Sequence, residues 1–302
     1  MKNLITGLLV FGLAGAGAFC WWILKVRREQ HARAHLKDTL IACQHLLVLT
    51  DHLQQHRGMS SAWLSGDASF EGRLLEKRRQ IEAVFPVLLA AARLESMQAN
   101  ACLTGNDISL FHFRWQSLVE GLSGMSTESS MAQHSHMVSQ VLEWLSALGE
   151  ARIEPLAGRV VSIGMIRNYA HRLPALTECL GQARAIGSSV AARHGCSPVA
   201  RVRLMFLVAR AEALLEQAAT AHNNGNLTLR ARHAVQEMAR TVRTSMLLSA
   251  GVQMAPGEYF SVSTQAIDSI YAWIEDGSRT ISGATASMER RGVAPDVLGK
   301  VA

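Results

Sequence analysis

Apolar side chains recur at helical spacing along almost the whole chain, and this pattern limits the fold more than any other feature of the sequence. Leu36, Leu40, Cys43 and Leu47 lie three or four residues apart, which places them on one face of an α-helix. The 302 residues include only six prolines, eight phenylalanines and three tyrosines, whereas residues that favour helices are abundant. The sequence therefore predicts an all-α fold.

Turns rich in glycine and asparagine divide the chain into about eight helices. The first is predicted to run to about Leu64, before Gly66. Another is predicted to begin at Ser197 and Pro198, because serine caps helix N-termini and proline is favoured at the first helical position. Short loops between helices favour two antiparallel four-helix bundles, with one bundle that has a long shared helix as the alternative. The predicted regions are an anchor at residues 1–28, a helical body at 29–283 with halves at about 29–150 and 151–283, and a flexible tail at 284–302.

The segment from Leu4 to Leu24 contains no charged residue. Its length, at about 1.5 Å per residue, matches a hydrocarbon core of about 30 Å. We interpret it as a single transmembrane helix that attaches the chain to a lipid bilayer. A cleaved signal peptide is the alternative, but Phe19, Trp21 and Trp22 stand where small residues precede a cleavage site. A lipoprotein processing site is disfavoured for the same reason.

Basic residues are more frequent after this segment than before it, because Lys25, Arg27, Arg28 and Arg33 follow it and Lys2 precedes it. This bias predicts a body on the cytoplasmic side of the inner membrane, with a periplasmic body as the alternative. The five cysteines are far apart and form no CxxC pair, which is typical of a reducing compartment. The net charge of +6 is scattered along the chain, so nucleic acid is not a predicted partner.

A glycine interrupts an otherwise strong helical pattern in the segment from Gln54 to Ser60. Gly58 costs about 1 kcal/mol relative to alanine inside a helix. A glycine in such a position indicates that another backbone or a ligand approaches closely. Here it directly follows Arg57.

A related cluster lies in the second half, where Arg184 precedes Gly187 and two serines. We predict that the two clusters face each other. A guanidinium offers paired coplanar donors, so Arg57 and Arg184 would together suit a small planar oxyanion. The alternative is that the arginines pair with carboxylates and that the glycines only allow close helix packing.

These segments resemble the nitrate- and nitrite-sensing (NIT) domain family, whose first helix carries a Gln-x-x-Arg-Gly-x-Ser pattern. Gln54, Arg57, Gly58 and Ser60 match this pattern in order. The resemblance covers about residues 35–280, and it continues through Gly181-x-x-Arg184 and an aromatic-Phe-x-x-x-Thr-x-x-Ile-Asp stretch from Tyr259 to Asp268.

The resemblance implies paired four-helix bundles in which arginines bind nitrate or nitrite and relay a conformational change to an output module. The chain departs from the family pattern at His56, where the family has an acidic residue or an arginine. Arg240 and Arg243 are both candidates for a further ligand arginine. We expect ligand contacts from Arg57, Arg184, Gly58, Ser60, Gln54 and Gly187.

We therefore expect a membrane-anchored receptor for nitrate or nitrite that signals through a separate protein, with a second copy of the chain as a further candidate partner. The alternative is a helical scaffold that has kept the fold and lost the ligand. Convergence of Arg57 and Arg184 on one dry cavity would favour the receptor. We also expect that removing either arginine abolishes nitrate binding and leaves the melting temperature nearly unchanged.

No cofactor, metal or catalytic activity is expected. Histidines 45, 52 and 56 lie near one helical stripe, and histidines 31 and 35 are four residues apart, but no carboxylate or cysteine has a matching offset for a metal site. The sequence also contains no Ser/His/Asp arrangement, phosphate-binding loop or paired acidic motif that would indicate an enzyme.

Overall fold

The computed structural model describes the backbone of residues 2–98 and 100–291 and the side chains of residues 19, 21–23, 27, 35–98 and 100–287. Every regular element within these ranges is helical, which confirms the all-α prediction. The α-helices are α1 Lys2–Leu64, α2 Glu71–Glu95, α3 Gly105–Gly121, α4 Thr127–Leu148, α5 Glu154–Ala157, α6 Ile163–Arg167, α7 Leu173–Ala192, α8 Pro198–Ala221, α9 Asn226–Thr241 and α10 Pro256–Arg291.

Local signals in the sequence account for several helix ends. Ser197 Oγ accepts a hydrogen bond from Ala200 N at 3.2 Å, and Pro198 is the first residue of α8, as predicted. α1 ends at Leu64, also as predicted. Gly66 follows with a φ of 104°, a conformation that glycine adopts without steric cost.

Two helices occupy the centre of the packing. α1 packs against α2 and α4, and α7 packs against α8 and α10. α3 contacts α2, and α9 contacts α10. α1 also contacts α7 and α10, and the buried side chains of both halves form one continuous core. The division of this core into two antiparallel four-helix bundles stays a prediction.

Two features of the helices differ from the prediction. Five-residue π-helical segments, which the sequence pattern did not indicate, occur at Gly149–Ile153, Asn168–Arg172 and Val242–Met246. The last helix continues to Arg291, beyond residue 283 where the predicted helical body ends, and the flexible tail stays a prediction. Residues 284–291 consist mainly of alanine, methionine, glutamate and arginine, which favour helix, and contain no proline. Residues 292–302 lie outside the described part of the chain.

The backbone of the predicted transmembrane segment belongs to α1. Most of that prediction concerns residues 4–18, 20 and 24, whose side chains lie outside the described part of the structure. Among the residues that are described, no helix has a stretch of 18 residues apolar enough to cross a membrane.

Candidate functional site

Arg57 lies at the contact between α1 and α7, and only 1% of its surface is exposed. Its Nη1 donates to Glu178 Oε1 at 2.6 Å, and its Nη2 donates to Glu178 Oε2 at 3.1 Å. Nη1 also donates to Ser135 Oγ on α4 at 2.8 Å. This guanidinium therefore connects helices from both halves of the chain through a buried, bidentate ion pair.

The Glu178 carboxylate accepts further hydrogen bonds from two amides. Gln54 Nε2 donates to Oε2 at 3.0 Å, and Gln182 Nε2 donates to Oε1 at 2.7 Å. Two buried atoms beside this carboxylate, Arg57 Nε and Gln54 Oε1, have no hydrogen-bond partner among the described residues. A buried polar atom without a partner is unusual in a folded protein and calls for an explanation.

Arg184 is half-buried on α7 and is held by weaker contacts. Its Nη1 donates to Thr264 Oγ1 at 3.1 Å, and its Cζ lies 5.0 Å from the centre of the Phe260 ring. No described carboxylate comes within the 4.0 Å of an ion pair. Burial lowers the pKa of Arg184, and the charge of Arg57 lowers it further, whereas nearby carboxylates oppose this shift. Arg184 is thus a partly desolvated cation without a direct counterion among the described side chains.

The two glycines that follow these arginines have different surroundings. A carbon atom added to Gly187 would lie 2.2 Å from the Tyr259 ring, so this glycine is required for helix packing. A carbon atom added to Gly58 would meet nothing within 4 Å, although Gly58 is half-buried. Asp51, whose charge acts on Arg184, lies seven residues before Gly58 and therefore on the same face of α1. The open space at Gly58 is consequently on the face of α1 that also carries Asp51.

The segments that resemble the NIT family meet in the structure. A carbon atom added to Gly181 would lie 3.0 Å from Arg57 Nη2, so the two arginine clusters face each other as predicted. Tyr259 donates from its hydroxyl to the carbonyl of Ala183 at 2.9 Å, and residues of the same α10 stretch contact Arg184. The arginines do not converge on an empty cavity, because the guanidinium of Arg57 is paired with the Glu178 carboxylate. They do not point to opposite surfaces either.

Ser60 and His56 belong to a separate buried network within the first half. Ser60 Oγ lies 3.2 Å from His56 Nδ1, which lies 2.8 Å from His134 Nε2. His134 Nδ1 donates to the carbonyl of Ser130 at 2.7 Å, so with both rings neutral His56 donates to His134 Nε2. Burial is the main cause that lowers the pKa of His56 to about 3 and that of His134 to about 4.

The remaining candidate residues lie elsewhere. Arg243 donates to Glu212 at 2.7 Å, Arg240 pairs with Glu237, and both arginines are exposed. The structure therefore places neither arginine in contact with the Arg57 cluster. Within the described side chains, no three His, Cys, Asp or Glu residues lie close enough to hold a metal ion.

Comparison with known families decides what this arrangement is related to. The family of nitrate and nitrite sensing proteins (NIT) matches residues 48–280, a range that contains all three resembling segments. The chain belongs to the NIT family. A solved structure, that of the NasR transcription antiterminator, has a similar fold, with a TM-score of 0.70 and 18% identity over 90% of this chain and 75% of that chain. No curated protein matches the sequence significantly.

Two buried residues of this NIT protein, Glu178 and His134, were not predicted from the sequence. Glu178 is the only charged residue between Arg172 and Arg184, and a lone carboxylate in an apolar helix indicates a buried cationic partner. That signal identifies Glu178 but not its partner. His134 has no comparable signal, because its neighbours on α4 follow an ordinary amphipathic pattern.

Proposed function

We propose that this NIT protein is a receptor for nitrate or nitrite and that Arg184 contacts the anion directly. The observation that carries the proposal is a partly buried guanidinium that has no carboxylate partner among the described residues. The open space at Gly58, on the face of α1 that also carries Asp51, is a place where the anion would fit. A guanidinium has five N–H donors, and the described residues use one of them through Thr264. Its coplanar donors suit a flat oxyanion, as the family description would require.

The size of nitrate argues for Arg184 over Arg57 as the direct contact. Nitrate has four non-hydrogen atoms, so at about 1.5 kcal/mol per atom it gains at most roughly 6 kcal/mol, a dissociation constant of roughly tens of micromolar. Taking Arg57 away from Glu178 would cost about 3–5 kcal/mol, because it leaves a buried carboxylate unpaired. Arg184 offers a cation without that loss. Arg57 contributes only its positive charge from nearby. This charge lowers the pKa of Arg184.

The other predicted ligand residues are not part of this proposal. Gln54 donates to Glu178, Ser60 lies in the histidine network, and Gly187 packs against an aromatic ring. Each of these groups already contacts another protein group.

Replacing Arg184 by alanine should weaken nitrate binding into the millimolar range. The variant loses a charge-assisted contact of about 1.5–3 kcal/mol, while the fold loses one side-chain hydrogen bond and the contact with the Phe260 ring. Arg184→Lys should recover part of the affinity, since it keeps the charge without the paired donors. Calorimetry with nitrate, nitrite and chloride measures the effect, and Arg243→Ala, an exposed arginine, is the matched control. Unchanged nitrate affinity in Arg184→Ala would refute the assignment.

Replacing Gly58 by alanine should stabilise the fold and weaken the anion complex. The added methyl group meets no protein atom within 4 Å, and alanine favours the helix by about 1 kcal/mol. Inside the open space, the same methyl group would obstruct a ligand. Thermal melts and nitrate titrations separate the two effects. A stabilised variant with wild-type affinity would show that the ligand does not use the space at Gly58.

We further propose that residues 4–24 cross the membrane and that the body lies in the cytoplasm. The support is the uncharged segment and the basic residues after it. Because α1 extends from Lys2 to Leu64 as one helix, a shift at Arg57 would be transmitted along it towards the bilayer, or to a separate signalling protein. Alkaline-phosphatase and fluorescent-protein fusions at the C-terminus report the side, and phosphatase activity would place the body in the periplasm.

A helical scaffold without a ligand is the second candidate function. The Arg57–Glu178 pair favours it, because pairing with a buried carboxylate is the behaviour of a structural arginine. A wild-type protein that melts cooperatively and binds neither nitrate nor nitrite would select the scaffold. The similar NasR structure is that of a transcription antiterminator, and the absence of a nucleic-acid partner for this chain stays a prediction.

A further inference from the structure

The surroundings of Glu178 have the form of an anion-binding site. Four hydrogen bonds from Arg57, Gln54 and Gln182 converge on its two oxygen atoms at 2.6–3.1 Å. Glu178 is buried, with 6% of the residue exposed. A carboxylate is a planar fork of two oxygens around one carbon, and nitrite and nitrate present the same fork around nitrogen. The donors are therefore arranged for a flat oxyanion, and the chain supplies one itself.

We propose that Glu178 is a tethered competitor that closes a second planar-oxyanion site at Arg57. The protein then has one arginine open to an external anion, Arg184, and one closed by its own carboxylate. The unpaired Arg57 Nε supports this inference, because an anion that replaced Glu178 would find a buried donor that no described protein group uses. The inference rests on the proposed function only in taking nitrate as the external ligand.

Opening the closed site is the direct test. In Glu178→Ala, nitrate should bind at least about tenfold more tightly than in the wild type, since its charged competitor is gone. Formate, which reproduces the missing carboxylate, should raise the melting temperature of Glu178→Ala by more than that of the wild type, in which only Arg184 is open to it. Calorimetry and thermal melts with sodium nitrate, sodium formate and sodium chloride measure both effects. Glu178→Gln keeps the side-chain shape and serves if the alanine variant does not fold.

A matched variant distinguishes an opened site from a general loss of negative charge. Asp268→Asn removes an equal charge near Arg184 without freeing Arg57. Equal gains in nitrate affinity from Asp268→Asn and Glu178→Gln would overturn the inference, as would a gain that persists in Arg57→Lys/Glu178→Gln.

The two proposals fail in different ways. If the wild type binds nitrate and neither Glu178 variant gains affinity, the competitor is refuted and the receptor stands. If the wild type binds no nitrate but Glu178→Ala binds nitrate and formate, the receptor is refuted and the competitor stands.

Discussion

Replacing Arg57 by alanine should lower the free energy of unfolding by about 3–5 kcal/mol, because Glu178 would remain buried without its cation. The ion pair has side-chain exposures of only 1% and 8%, so water cannot take the place of the guanidinium. For a body of this size, the loss corresponds to a fall in melting temperature of roughly 6–20 °C. Thermal and urea unfolding followed by circular dichroism measure it.

Arg240→Ala provides the control for this experiment. Its side chain is 65% exposed and pairs with Glu237 three residues earlier on the same helix, so its removal should change stability by less than about 0.5 kcal/mol. Replacing both partners, as in Arg57→Met/Glu178→Met, should recover most of the loss, since no buried charge remains unpaired. An Arg57→Ala protein that melts like the wild type would show that the buried ion pair does not form in solution.

This prediction replaces the expectation from sequence that both arginine variants would keep their melting temperature. That expectation treated Arg57 and Arg184 as equivalent, because each precedes a glycine and serines in a helix. The structure separates them: Arg57 has a buried counterion, and Arg184 has none among the described side chains. The expectation therefore still holds for Arg184 alone.

The parts of the fold that were predictable are those with local causes. The end of α1 at Leu64 and the start of α8 at Pro198 depend on a turn glycine and an N-cap serine within a few residues. The π-helical segments have no such local signal in the sequence. The end of α10 was misplaced because its last turns lack the apolar pattern of a packed helix, although their residues favour helix.

The candidate site, like the fold, was predictable only where a local pattern in the sequence indicates it. The family pattern placed Arg57 and Arg184 on two helices that face each other, and the α10 stretch contacts Arg184. What each arginine does depends on residues far away in sequence. Glu178 lies 121 residues from Arg57, and no helical spacing relates positions on different helices. A sequence pattern can therefore identify a candidate arginine. Whether that arginine is open to a ligand depends on whether a carboxylate already pairs with it.

Lowering the pH from 7 to 5 should remove roughly 4 kcal/mol of stability through His56 and His134 together. Both rings are at most 1% exposed. Burial is the largest cause for both rings: with neighbouring positive charges it lowers the pKa of His56 to about 3, and against the opposing hydrogen bond to Ser130 it lowers that of His134 to about 4. Histidines in the unfolded chain have a pKa of about 6.5.

Between these values the unfolded state binds protons that the folded state does not bind. The contribution of the pair is therefore complete above about pH 6.5 and decreases as the pH falls towards 4. Each ring accounts for about half of the loss.

Comparison with variants isolates this effect from the titration of carboxylates. In His56→Gln/His134→Gln, the difference in unfolding free energy between pH 7 and pH 5 should shrink by roughly 4 kcal/mol, and each single variant should show about half of that change. His136→Gln alters an exposed histidine on the same helix as His134 and should leave the difference unchanged. Urea unfolding at the two pH values gives the free energies, and proton NMR follows the ring protons directly. Two rings that titrate near pH 6.5 in the folded protein would contradict the prediction, because protonation would then not distinguish the folded state from the unfolded one.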